Sequence, residues 1–303
     1  EAINRFRNYV PPPTAYNDIP LSRRAAVLLL LYADQKGDLR IVITIRAKTL
    51  SSCMHPFLSV PTELSCRADT LSETPFQTAR REAWEEIGLP GIDQSLPRPF
   101  TVEHLCELPA NLARTELVVR PCVALLHSFD PQAGENADPE VSLIPKLDAR
   151  EVAAVFTAPF HNFLSMRDED SGVSSDRASE WYRGSWTTWH NSDWRMHQFF
   201  VRARNPPLHP APQNEKQKKA VEQLVEQEES GQVQRYRVFG MTARMIVDAA
   251  RVAYQQEPEF EHNSHFGDEA MITNLRRLGR LSAVRRASDQ LTRETMEKAA
   301  KLS

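Results

Sequence analysis

Apolar positions along the chain change their period several times, and the changes mark out the elements. Ala25-Ala26-Val27-Leu28-Leu29-Leu30-Leu31 is a continuous apolar run abutted by Arg23 and Arg24. It is far too short to span a bilayer and predicts a buried strand. Residues 39–46 form a second run rich in β-branched side chains, and Asp34-Gln35-Lys36-Gly37-Asp38 between the two is a turn signal, so a hairpin is expected. Residues 47–73 carry no period and read as a long loop. At 75–87 the period becomes helical, with Phe76, Ala79, Ala83 and Ile87 on one apolar face. Thr74 suits the cap, Pro75 the first helical position, and Gln77 completes a Thr-x-x-Gln capping box. Gly88 suits the left-handed stop, and Pro90 blocks continuation.

Further strands are expected at 117–127 and 151–157, with a polar linker at 130–141 and a flexible insertion at 165–180. The Trp-rich stretch 181–201 predicts a hairpin ending in Met196-His197-Gln198-Phe199-Phe200-Val201. Residues 205–212 are a Pro-rich break, 214–230 read either as a solvated helix or as disorder, and 238–255 and 268–300 read as helices. The domain reading is an extended N-terminal arm over 1–21 (Pro11-Pro12-Pro13, Pro20), a main domain over 22–204, and a Pro-rich linker with a helical C-terminal extension over 205–303.

Composition narrows this picture little. Of 303 residues, 41% are apolar and 25% charged, as in ordinary globular proteins. A net charge of −3 argues against general nucleic-acid binding, so an anionic substrate would need local arginines or a metal. Cys53, Cys66, Cys106 and Cys122 lack the Cys-x-x-Cys spacing of a zinc knuckle; Cys106 and Cys122 read as small buried hydrophobes. The low cysteine count fits a reducing compartment, and no secretory signal is visible, so an intracellular location is expected, cytoplasmic or, with Ala300-Lys301-Leu302 near the C-terminus, peroxisomal.

The chemistry is concentrated in Arg81-Glu82-Ala83-Trp84-Glu85-Glu86. Glu82, Glu85 and Glu86 stand at i, i+3 and i+4, which puts three carboxylates on one side of a helix. Like charges at that spacing repel, and a divalent cation with hard oxygen preference removes the repulsion. A solvated acidic face is the competing reading. Arg46, at a strand end, reads as a phosphate contact or a surface arginine; Arg120 flanks a predicted strand; Glu151 reads as a metal ligand, a general base or a polar strand start. Trp181, Trp186, Trp189 and Trp194 with Tyr182 could stack an adenine, but such clusters are more often hairpin packing.

The spacing Glu73-x7-Arg81-Glu82-Ala83-x-Glu85-Glu86-x-Gly88-Leu89 resembles the Nudix box from its first glutamate onward. The likeness extends over roughly residues 22–280. Arg46 through Leu89, Arg114-Thr115, Arg120-Pro121-Cys122-Val123-Ala124, Glu151-Val152 through Pro159 and Val238-Phe239-Gly240-Met241-Thr242 are similar to the coenzyme A diphosphatase branch, its fungal peroxisomal members above all. The resemblance implies an α/β/α sandwich around a mixed sheet, followed by a helical C-terminal extension. It implies Mg²⁺ or Mn²⁺ on Glu82, Glu85 and Glu86, with Arg81, Glu82 and Glu85 catalytic and Arg81 orienting the carboxylates. It also implies substrate binding by Arg46, Arg67 and Arg120, with Glu151 a further ligand or base. The implied partner is a small molecule, coenzyme A or a related nucleotide, with no membrane partner; oligomeric state stays open.

One stretch departs from the family. Where the family carries Pro-Gly-Gly-Lys before Ala68-Asp69, this chain reads Ser59-Val60-Pro61-Thr62-Glu63-Leu64-Ser65-Cys66-Arg67. Both glycines that allow close backbone approach to phosphate are replaced, and Arg67 stands where the lysine is expected. That implies reduced activity or altered substrate choice, such as ADP-ribose, NADH or an oxidised nucleotide, or a nucleotide-binding protein with little turnover. Ala300-Lys301-Leu302 has the form of a peroxisomal address, but Ser303 displaces it from the terminus.

Overall fold

The computed structural model describes residues 1–46, 70, 72–144, 152–168, 181–189, 192–202, 209, 212, 214–229, 235–284 and 291–302. Arg67, Glu151, Cys53, Cys66 and most of the segments 47–73, 165–180 and 205–212 lie outside the described residues.

The apolar run at 25–31 is the middle of β1 (Arg24–Ala33), which pairs antiparallel with β2 (Leu39–Arg46), Leu31 opposite Ile41. The turn between them closes because Asp34 Oδ1 accepts from the backbone N–H groups of Lys36 and Asp38, and Gly37 takes φ 85°. The edge strand β3 (Thr101–Glu107), the two-residue β4 (Asn111–Leu112) and β5 (Val118–His127) follow; β5 lies parallel to β1, with Ala26 beside Arg120 and Leu28 beside Cys122. The order is β3-β5-β1-β2-β8, where β8 is Val152–Pro159 and only the β1–β5 pair is parallel. A short ribbon of β6 (Phe129–Asp130) and β7 (Glu135–Asn136) occupies the stretch expected as a polar linker.

Side chains alternate across a strand, so the sheet has two distinct faces. On one, Leu30, Tyr32, Ala124 and Leu126 pack against Ala83 and Ile87, and Ala26 and Cys122 pack against Ala79. On the other, Leu29, Leu31 and Val123 share a core with Ala243, Ile246, Val247 and Ala250 of a long C-terminal helix (Gly240–Tyr254). Helices cover both faces of a mixed sheet, which is the α/β/α sandwich the resemblance implied.

In chain order the helices are α1 (Ala2–Arg7), α2 (Pro75–Ile87), α3 (Pro139–Ser142), α4 (Glu215–Glu229), α5 (Gly240–Tyr254), α6 (Glu269–Arg277) and α7 (Arg293–Ala300). A second sheet runs β11-β10-β9, from β9 (Tyr182–Trp189), β10 (Ser192–Val201) and β11 (Tyr236–Phe239). Its hairpin matches the Trp-rich expectation.

Three expectations change. The N-terminal arm is not wholly extended: α1 forms because Phe6 is fully buried in the main core and Arg5 donates to Ala253 O at 2.8 Å. The charged stretch 214–230 resolves as helix, α4, with Ala220 and Leu224 buried. Residues 268–300 form two helices, because Gly279 and Leu281 both take positive φ (70° and 59°) and break the run. α6 and α7 pack Ile272, Leu275, Met296 and Ala299 against Tyr16, Ile19 and Val118.

Candidate active site

The signature helix α2 is bounded as its sequence dictates. Thr74 Oγ1 accepts from Gln77 N at 3.2 Å, and Gln77 Oε1 accepts from Thr74 N at 2.8 Å, completing the capping box. At the other end Gly88 is left-handed (φ 69°), and Gly88 N and Leu89 N donate to Trp84 O and Ala83 O. The helix can lie close on the sheet because Ala79 meets Ala26 and Cys122, all small side chains.

Successive helical residues are 100° apart, so Glu85, Glu82 and Glu86 occupy one flank in that angular order. Glu82 is 5% exposed, whereas the Glu85 side chain is 39% exposed. Arg81 organises the set. Its Nε donates to Glu73 Oε1 at 3.1 Å, and its Nη1 donates to Glu82 Oε1 at 2.9 Å and to Glu85 Oε1 at 3.1 Å. One guanidinium therefore ties the loop before the helix to two of the three carboxylates.

Burial pushes the Glu82 carboxyl up to about 8, against the pull of Arg81 and with the repulsion of Glu85 and Glu86 added. Its Oε2 has no hydrogen-bond partner among the described residues. A buried carboxylate oxygen without a donor, beside two more carboxylates, fits a hard divalent cation in charge and donor type. The three groups do not yet converge: among the described residues no cluster of three His, Cys, Asp or Glu side chains is spaced to hold an ion. Arg81 Nη1 lies between Glu82 and Glu85, where it takes part of the charge a cation would neutralise.

The remaining expected residues separate. Arg46 ends β2 across from Val152, the first residue of β8, after a register shift at Ile45. Arg120 is buried on the same sheet face as α2; its Nη1 donates to Glu269 Oε1 at 2.7 Å and its Nε to Glu107 Oε2 at 3.2 Å. Arg67 and Glu151 lie outside the described residues. Trp181 is 1% exposed, donates to Ser165 O and packs on Phe163 and Phe199, which is hairpin and core packing. Cys106 and Cys122 are buried, and burial pushes the Cys106 thiol up to about 12, so neither is a nucleophile. A groove of about 620 Å³ is lined by Glu73 and Arg81 of the fork and continues past Gln77, Arg80 and Trp84 to Ile92; Glu82, Glu85 and Glu86 do not line it.

The sequence reading passed over Thr78. It is fully buried on the carboxylate flank, one turn before Glu82, and its hydroxyl also has no partner. Its position four residues before Glu82 was the available signal.

The signature helix, its arginine fork and its seat on a mixed sheet are the features that the Nudix resemblance implied, and the curated proteins this chain is similar to include ones named Nudix hydrolases. The chain is similar, at 29% identity over 295 residues, to "Peroxisomal coenzyme A diphosphatase 1, peroxisomal" of Saccharomyces cerevisiae, an alignment covering 92% of this chain and 83% of that protein. It is also 26% identical over 258 residues to "Nudix hydrolase 15, mitochondrial" of Arabidopsis thaliana, covering 84% of this chain and 67% of that one. A solved Nudix hydrolase of M. smegmatis, RenU, matches at 20% identity over 46% of this chain and 73% of its own, with a TM-score of 0.24, too low to bear on the fold. No family model matches the chain. Among the described residues no helix is long and apolar enough to cross a membrane.

Proposed function

We propose that the chain hydrolyses the pyrophosphate of coenzyme A or a derivative, releasing 3′,5′-ADP and 4′-phosphopantetheine or its acylated form. The observation that carries this reading is the Arg81 fork: it holds Glu73, Glu82 and Glu85 together around one buried carboxylate on the signature helix. The substrate is supported by the name of the yeast relative, which this chain matches over most of its length.

Glu82, Glu85 and Glu86 are the residues that would hold Mg²⁺ or Mn²⁺. When bound, the ion neutralises the pyrophosphate and lowers the pKa of a water. The chain's own side chains do the rest. Arg81 fixes the orientation of Glu82 and Glu85, and a carboxylate accepts the proton of the attacking water, with Glu82, Glu85 and Glu151 as the candidates. Arg46 and Arg67 are the proposed phosphate contacts; Arg120 joins them only by giving up a bond to Glu107 or Glu269. A peroxisomal location belongs to the same proposal and rests on the yeast relative's name; a fluorescent fusion that stays outside peroxisomes would remove it.

The test is release of 3′,5′-ADP from coenzyme A in Mn²⁺ or Mg²⁺, with Glu86→Gln as the control. The variant is expected to lose orders of magnitude in rate while keeping its melting temperature. Unchanged turnover in Glu86→Gln would sink the metal assignment. The replaced glycines at 59–67 favour a second reading, nucleotide binding with little turnover. Calorimetric binding of coenzyme A without hydrolysis in millimolar-range Mn²⁺ would select it, and turnover of ADP-ribose or NADH in preference to coenzyme A would redirect the substrate.

A further inference from the structure

Two buried oxygens on the carboxylate flank of α2 have no hydrogen-bond partner among the described residues, and they stand one helical turn apart. Thr78 is 0% exposed and its Oγ1 is unpartnered; Glu82 is 5% exposed and its Oε2 is unpartnered. Residues at i and i+4 lie above one another on a helix, with Cβ atoms about 5–6 Å apart. A hydroxyl and a carboxylate at that spacing can be joined directly or through one intervening molecule, and the two oxygens are not bonded to each other. Arg81 holds the other carboxylate oxygen, Oε1, at 2.9 Å.

An unmade hydrogen bond at a buried oxygen costs roughly 1–3 kcal/mol. Two such atoms side by side on the signature helix are therefore mutually informative. A single water reaches two to four polar partners and satisfies both: the Thr78 hydroxyl donates to the water, and the water donates to Glu82 Oε2. Apolar side chains dominate the rest of this helix's buried surface. Ala79, Ala83 and Ile87 supply no polar atom, and the buried Arg80 stands on the opposite side of the helix, where it donates to Pro90 O, so the hydroxyl is the group that can anchor the water from beneath.

We infer that Thr78 is a positioning residue of the carboxylate site, holding through one buried water the Glu82 oxygen that Arg81 does not bind. The inference rests on the metal reading proposed above and deepens it. It gives Glu82 two fixed points, Arg81 on Oε1 and the Thr78 water on Oε2, so the carboxylate plane is set before any cation arrives. Outer groups that orient ligands in this way change metal affinity by about 10–100-fold when removed.

The test compares Thr78→Val, which keeps the shape and removes the hydroxyl, with Thr78→Ser, which keeps the hydroxyl. Mn²⁺ alone is titrated into each full-length protein and free ion is read by electron paramagnetic resonance, with thermal melting alongside. Thr78→Val is expected to weaken Mn²⁺ by about tenfold, and Thr78→Ser to bind as the unmodified chain does. If the hydroxyl simply has no partner, Thr78→Val melts at the same or a higher temperature and binds Mn²⁺ unchanged, which overturns the inference and leaves the metal site standing. Failure of the unmodified chain to bind Mn²⁺ at all would overturn both. Equal weakening in Thr78→Val and Thr78→Ser also counts against it, because loss of packing, not of the hydroxyl, would then be responsible.

Discussion

Arg81 Nε donates to Glu73 Oε1 at 3.1 Å, so a guanidinium on the helix is anchored to a carboxylate on the loop eight residues before it. Its other arm is thereby aimed at Glu82 and Glu85. Lysine has one compact ammonium and cannot hold three carboxylates in a fork. Arg81→Lys is expected to lower hydrolysis by about tenfold or more with the fold retained, measured as initial rate against Mn²⁺ concentration. An unchanged rate would show that Arg81 is only a surface ion pair.

The two ends of α2 should each be worth about 1 kcal/mol. Thr74→Ala removes the acceptor for Gln77 N and is expected to cost about 1 kcal/mol. Gly88→Ala forces a side chain into φ 69° at a cost of about 1–2 kcal/mol. Denaturant unfolding of the two variants checks both values, and losses below a few tenths would mean the helix is held by packing alone.

Asp268 joins the C-terminal helices to the sheet. Its carboxylate accepts from Leu112 N at 2.8 Å and from Arg244 Nη1 and Nη2 at 3.1 and 3.0 Å, while its neighbour Glu269 accepts from Ala110 N and Arg120. Asp268→Ala leaves the buried Arg244 without its counter-charge, so a loss of about 3–5 kcal/mol is expected. A melting temperature within a degree or two of the unmodified chain would refute this.

Acid should destabilise the fold through His197. The imidazole is buried against Phe199 and Phe260 and bonded to the Tyr182 hydroxyl at 3.0 Å; burial first, then Arg195, His262 and Arg244, lowers it to about 3. The unfolded chain takes up this proton near pH 6.5 and the folded chain does not. The His197 contribution is therefore complete above pH 6.5 and declines as pH falls from there toward 3. Asp268 acts in the same direction: burial raises its carboxyl, but Arg244 and its other partners outweigh that and hold it down to about 2, so its contribution fades as pH falls below the usual carboxylate range. Glu82, pushed up to about 8 by burial, acts in the opposite direction from pH 8 down to the usual carboxylate range, so the His197 contribution is read as a difference: between pH 6.5 and 5 the unmodified chain should lose more unfolding free energy than His197→Gln does. An identical slope in the variant would remove His197 from the explanation.

The parts of this architecture that were legible in sequence are those fixed by neighbours along the chain. Thr74, Pro75, Gln77 and Gly88 specify α2 end to end, and Asp34 with Gly37 specifies the β1–β2 turn. The missed elements depend on distant partners. β3 shows little apolar alternation and becomes a strand by pairing Thr101 through Glu107 with β5. Val238 and Phe239 read as the start of a helix, yet they pair with Phe199 and Gln198, and Gly240 at φ 66° turns the chain into α5 only afterwards. The N-terminal helix likewise needs the pocket that receives Phe6. At the site, the helix spacing placed the three glutamates on one flank, but nothing in that spacing showed that Glu82 is buried or that Thr78 shares its enclosure. Those facts come from the sheet beneath.

Ala26, Ala79 and Cys122, where the signature helix touches the sheet, act as a spacer. Their small volumes set the height at which the helix rides, and therefore the depth at which its carboxylates meet a ligand arriving over the strand ends. Enlarging any one of the three would change that depth without altering a single charged group. The reach of the site is thus written in methyl groups and a thiol, residues that a search for chemistry would discard.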